Sequence, residues 1–208
     1  MPRVHHGSKM IDNPKLTCNT QADWERWLDA NGGCSAEITT GSTTRGVWLR
    51  IAKRTAAEPT VTYAQALESA LCFGWIDGQK QAESEHYWLQ RFTPRTAHSI
   101  WSQINKAKVA GLIAAGKMRP AGLREVAQAR RNGRWDAAYS PASSATVPDD
   151  LQLALASNPK AKEFFETLHS ANRYAILFRL QNVKRADTRA KKIVQFVNML
   201  SRGEKLHP

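Results

Sequence analysis

Between residues 91 and 135 the chain has almost no acidic side chains: ten Lys and Arg stand there against a single carboxylate, Glu125. Cysteine is scarce as well. Cys18, Cys34 and Cys72 cannot all pair, and none stands in a C-x-x-C arrangement, so a disulfide-framed scaffold is excluded. No apolar run approaches the ~18 residues of a membrane-spanning helix. The first 17 residues are polar, with Arg3, His5, His6, Lys9, Asp12 and Lys15, which predicts no signal peptide and a cytoplasmic, bacterial-type protein. There is no G-x-S-x-G, no Walker loop and no G-x-G-x-x-G. His86, His98 and His169 lack metal-ligand spacing, so no metal and no cofactor are expected. Internal repeats are missing too.

What is present is ordinary globular material with an uneven charge. The 208 residues are 42% hydrophobic and 23% charged, enough to bury a core without staples. The net charge of +12 is concentrated: residues 1–90 sum to −1, 91–135 to +9, 136–159 to −3 and 160–208 to +7. Such asymmetry favours an anionic small molecule, an acidic partner or nucleic acid; it also suits a solvated basic face kept for solubility. Oligomeric state is not readable.

Local patterning predicts an α+β fold, a small antiparallel sheet packed with helices and followed by an all-helical C-terminal region. Residues 1–20 read as a flexible arm, 21–140 as the α+β part and 148–208 as the helical region. Trp24, Trp27 and Leu28 mark a first helix closed by Asn31-Gly32-Gly33, and 34–45 is a polar loop. Val47, Leu49 and Ile51 alternate with Trp48, Arg50 and Ala52 as in a half-buried strand. Thr62 and Gln65 form a capping box for a helix ended by Gly74. Residues 75–81 and 85–92 read as two strands. A helix is expected over 99–116, with Trp101, Ile104, Lys108, Val109 and Leu112 on one face, and another after Pro120 with Leu123, Val126 and Ala127 inward. Residues 140–147 are a linker by composition. Beyond it, Asn158-Pro159 opens one helix, and Val183, Ala186, Ala190, Ile193, Val197 and Leu200 form a stripe along the last, stopped by Gly203.

The densest polar cluster runs from Arg91 to Asn105. Arg91, Arg95, Ser99, Ser102 and Asn105 precede or open a helix whose free N–H groups carry partial positive charge, a combination suited to phosphate or another anion. Trp75 and Trp101 flank it, and Asp77 could act as acid–base if the protein is an enzyme on a phosphorylated or nucleotide-like substrate. The same residues also suit a strand-to-helix connector, with Ser99 as a cap and the arginines paired to Asp77 or Glu85. The tryptophans Trp48, Trp75, Trp88 and Trp101 serve either as core or as stacking surfaces. Cys72, in an apolar helix end, reads as packing.

Several of these stretches are similar to one family. Ala70-Leu-Cys-Phe-Gly-Trp-Ile-Asp77, Arg91-Phe-Thr-Pro-Arg95 and Ser99-Ile-Trp-Ser102-Gln-Ile-Asn105 resemble the YdeI/OmpD-associated, bacteriocin-protection proteins. So do Gly116-Lys-Met118, Pro120-Ala-Gly122, Gly133-Arg-Trp135, Pro148-Asp-Asp150, Asn172-Arg-Tyr174, Asp187-Thr-Arg189 and Lys191-Lys-Ile193, a string covering about residues 22–208. The resemblance implies a role in stress or antimicrobial-peptide resistance, or association with a porin. It supplies no catalytic residues to carry over. The 34–45 stretch looks longer than the family's usual connection, and Glu83 and Glu85 occupy its hairpin turn.

Overall fold

The computed structural model describes residues 14–31 and 46–208. Most of the expected N-terminal arm, the glycines after Asn31, the 34–45 loop and Cys34 lie outside the described residues. Four strands, β1 (Lys15–Leu16), β2 (Val47–Ala52), β3 (Trp75–Ala82) and β4 (Tyr87–Pro94), form one sheet in the order β1-β2-β4-β3. The helices are α1 (Gln21–Asn31), α2 (Tyr63–Cys72), α3 (Gln103–Ala114), α4 (Pro120–Arg131), α5 (Asp149–Ala156), α6 (Pro159–Thr167), α7 (Ser170–Gln181) and α8 (Ala186–Ser201). The α+β class read from the sequence is what the structure has. The sheet is mixed rather than purely antiparallel, because Lys15 and Leu16 pair parallel to Trp48 and Leu49. A two-residue strand is too short to leave a periodic signal.

The chain divides into two compact units, one of Met1–Ser99 with Ala107–Asp136 and one of Ile100–Lys106 with Ala137–Pro208. In the first, Val47, Leu49 and Ile51 are buried as the alternation requires, and they stand opposite Phe92, Gln90 and Trp88 of β4. Phe92 meets the Trp24 ring at 5.3 Å, and Trp24 donates its indole N–H to the Ala66 carbonyl at 3.0 Å, which ties α1 to α2. Thr62 and Gln65 make the reciprocal capping box. The pairing of β3 with β4 shifts between Asp77 and Lys80. Buried Gln90 fills that bulge, donating Nε2 to the carbonyls of Gly78 (3.0 Å), Gln79 (3.1 Å) and Arg91 (3.2 Å).

Two helical faces differ from the sequence reading. In α4 the buried positions are Gly122, Glu125, Val126 and Ala129, whereas Leu123 is 44% exposed. The face is turned by about one residue because Gly122 lets α4 approach α2: a Cβ there would lie 2.2 Å from the Cys72 carbonyl oxygen. In α3 only Val109 and Leu112 are buried, and Ile104 is half exposed. The helix starts at Gln103 rather than 99, with Ser102 Oγ accepting from the Asn105 amide at 3.1 Å.

In the second unit Asn158 caps α6 through its bond from the Ala161 amide. Leu151, Leu155, Phe165, Leu168, Ile176, Leu177, Leu180, Ile193, Phe196, Val197 and Leu200 make one core. The stripe on α8 is buried from Ile193 onward; Ala186 and Ala190 are exposed, and Phe196 takes a place the sequence reading left out. Arg189 adds two hydrogen bonds to Asp150 (2.5 and 2.9 Å) and one to the Leu180 carbonyl (2.7 Å).

Candidate anion site

The β4 exit is built around a turn. Arg95 follows the last strand residue, is 2% exposed, and donates its amide to the Gly74 carbonyl at 2.9 Å. Gly74 has φ +78°, so glycine is required there, and a Cβ would fall 3.3 Å from Cγ of Glu125. Glu125 reaches inward from α4 and is itself buried. Arg134, also buried, donates Nη1 to the carbonyls of Ser99 (2.7 Å) and Thr96 (3.3 Å), and Nε to Asn132 Oδ1 (3.0 Å). Ser99 closes the same turn by accepting from the Thr96 amide at 2.9 Å.

The node buries charge of both signs. Among the described residues, the buried charged side chains are the guanidinium groups of Arg95 and Arg134 and one carboxyl, Glu125. Burial pushes the Glu125 carboxyl above its ordinary range, and Arg134, Arg95 and Arg124 only partly draw it back. Arg134 Nη2 and Glu125 Oε2 are buried with no hydrogen-bond partner among the described residues. Beside a carboxyl whose ionisation burial disfavours, a guanidinium offers two parallel donors to an anion.

The other residues singled out in the sequence are distributed more widely. Arg91 stands opposite Trp48, with Nη1 3.4 Å from Gln79 Oε1. Among the described residues Asp77 takes no arginine; it accepts the Tyr63 hydroxyl at 2.7 Å. Trp75 is core, edge-on to Trp27 at 5.5 Å. Trp101, Ser102 and Asn105 belong to the second unit, where Trp101 is buried and its carbonyl accepts from the Tyr139 amide at 2.9 Å. Ser102 is occupied as the cap of α3. Trp48 and Trp88 are half-buried. The hairpin carboxylate Glu83, to which the sequence reading gave no part, binds Arg50 through two hydrogen bonds (2.7 and 3.0 Å).

Arg134 and Glu125 were not legible as site residues. Arg134 lies 35 positions from the Ser99 carbonyl it holds, and Glu125 sits in a helical face whose other members are small or apolar. The one available signal was Glu125 being the sole carboxylate of the basic segment. No group of three His, Cys, Asp or Glu among the described residues could hold a metal ion, and no described helix is long and apolar enough to cross a membrane.

Fold and node together define a basic α+β protein with an arginine-rich interior at the end of its sheet. Residues 16–125 match the model of a domain of unknown function, DUF8412, which is more than half of the chain; the chain belongs to that family. Residues 144–203 match a second model, described as bacteriocin-protection, YdeI or OmpD-associated. The resemblance drawn from the sequence therefore holds for the C-terminal segment, while most of the N-terminal motifs fall under the first model. No curated protein and no solved structure matches the chain.

Proposed function

We propose that the protein binds a small phosphate-bearing or other anionic ligand at the β4 exit, where Arg95 and Arg134 carry the affinity and Arg91 extends the positive field. One observation carries this reading: two buried guanidinium groups share the interior with a single carboxyl whose own ionisation is disfavoured by burial. An anion held by these guanidinium groups would add to what offsets their desolvation. Ser99 and Thr96 position the turn rather than the ligand. Asp77, bonded to Tyr63, is the candidate acid–base if a reaction takes place there. The description of the model matched by residues 144–203 supports a place in protection against antimicrobial peptides.

Thermal unfolding in the presence of phosphate, sulfate, pyrophosphate and a nucleoside monophosphate tests the reading. A ligand at 100 times its Kd should stabilise the native state by about 2.7 kcal/mol. Arg95→Gln should remove that gain, and Arg91→Gln, on a half-buried strand position, should reduce it without disturbing the fold. Equal stabilisation of the wild type and Arg95→Gln would overturn the site. A response confined to short DNA or RNA, with affinity falling steeply as salt rises, would move the reading to nucleic acid.

A further inference from the structure

The first unit holds a second polar site, whose lining includes none of Arg91, Arg95, Glu125 and Arg134. A cavity of about 260 Å³ opens between α1, the end of α2 and the segment 116–119. This is just below the ~300–1,000 Å³ of ordinary small-molecule sites, so its occupant is small. Its walls carry both signs of charge. On one side Glu25 receives Ser69 Oγ at 2.7 Å and Gln21 Nε2 at 3.1 Å, both on Oε1, and Gln21 also reaches Ser69 Oγ at 3.0 Å. That closed set fixes the carboxylate in one orientation and leaves Oε2 without a described donor. Ser69 is 1% exposed, so the set is anchored in the interior.

On the other side stand Lys117 and Arg119. Arg119 donates its amide to the Cys72 carbonyl at 3.1 Å, and its guanidinium lies 5.5 Å from the Phe73 ring centroid. Its side chain thus has an apolar support and exposed N–H donors. Lys117 is bonded to Glu68 at 2.9 Å, but both side chains are substantially exposed, and an ion pair of this kind is weak enough to exchange partners. Glu68 and Lys117 also line an adjoining hollow with Lys108 and Leu112, so the ion pair is the divider between two spaces.

We infer that this cavity binds a free α-amino acid, its ammonium on Glu25 and its carboxylate on Arg119 and Lys117. A simple anion is disfavoured by Glu25 and Glu68, and a simple cation by Lys117 and Arg119. A zwitterion satisfies both walls, and the hollow beyond the Glu68–Lys117 divider has room for a side chain.

The test is a heteronuclear NMR titration of the full ¹⁵N-labelled chain with the standard L-amino acids, and with propylamine and propionate as half-ligands. The expected result is that at least one amino acid shifts the amides of Ser69, Gly116 and Lys117. Both half-ligands should bind at least about tenfold more weakly. Glu25→Gln keeps an acceptor for Ser69 and Gln21, and should weaken binding about tenfold. Arg119→Gln, on an exposed side chain, should do the same. The inference is overturned if no amino acid moves those amides, if propionate or propylamine binds as well, or if neither substitution changes the affinity. Phosphate binding at the β4 exit is independent of every one of these outcomes.

Discussion

Arg134 donates Nη1 to the carbonyl oxygen of Ser99 at 2.7 Å, so the turn after β4 is fastened by a side chain 35 residues further along. With Thr96 O and Asn132 Oδ1 as its other acceptors, the guanidinium both holds the turn and keeps a positive charge inside. Losing the fork while keeping the charge and losing the whole side chain should therefore differ. Arg134→Lys keeps charge but cannot span the acceptors. It should lower the denaturant midpoint by less than Arg134→Ala, whose loss of a hydrogen bond from a charged donor is about 1.5–3 kcal/mol.

Two carboxyls should respond to pH with opposite sign. Glu125 is pushed up, chiefly by burial, so its protonated form is favoured in the native state. Its contribution is most favourable below the unfolded pKa of about 4.3 and is lost as pH rises through the raised native value. Glu83 is held down, first by its hydrogen bond from Arg50. Its stabilisation is present above the unfolded pKa and lost as pH falls through the native one. Unfolding midpoints against pH should show Glu125→Gln flattening the loss toward neutral pH. Glu83→Gln should lower stability at neutral pH and converge on the wild type in acid.

Cys18 and Cys72 should be poor nucleophiles. Burial pushes both thiols up to about 11, leaving little thiolate at pH 8. In a Cys34→Ser chain, iodoacetamide labelling of the native protein at pH 8 should be about a hundredfold slower than after unfolding in guanidinium. Rapid labelling of Cys72 would show that the end of α2 opens.

Two helical glycines make a matched pair. At Gly122 a Cβ would fall 2.2 Å from the Cys72 carbonyl oxygen and 2.8 Å from that of Leu71, both backbone atoms; at Gly111 it would meet nothing within 4 Å. Gly111→Ala should stabilise by about 0.5–1 kcal/mol through helix propensity. Gly122→Ala should destabilise by about 1–3 kcal/mol, because α4 must shift off α2.

On α8, neighbouring positions separate burial from composition. Ile193 is 7% exposed and Val194 is 59% exposed. Ile193→Ala should lower stability by about 2–5 kcal/mol. Val194→Ala should stay within about 0.5 kcal/mol of the wild type. Equal small effects would mean that α8 is loosely attached; a midpoint that depends on protein concentration would mean that its apolar stripe also joins two copies.

The elements that could be read from the sequence were those whose signals are local. The capping box at Thr62 and Gln65, the alternation from Val47 to Ile51, the Asn158-Pro159 start and the glycine stop at 203 each lie within a few residues. The α4 face was not readable by apolar periodicity, since Gly122 is buried by close approach and Glu125 by its place among arginines. Ser99 was expected near a helix start and instead closes a turn, the cap falling three residues later on Ser102. The candidate site was legible only in part: Arg95 stands at its centre, while Arg134 and Glu125 arrive through tertiary contacts that no window of sequence contains.

The plug that Gln90 forms in the β3 bulge bears on solubility. β3 ends the described sheet, and an end strand with a regular, flat row of free amides and carbonyls invites another chain to add itself. Here the register shift between Asp77 and Lys80 breaks that row, Gln90 turns two of the strand's carbonyls inward, and the Lys80 ammonium stands 4.2 Å from the Trp88 ring centroid beside the gap. The same irregularity thus guards the protein against edge-to-edge fibre growth. A chain in which Gln90 became valine would be expected to lose that guard before it lost its fold.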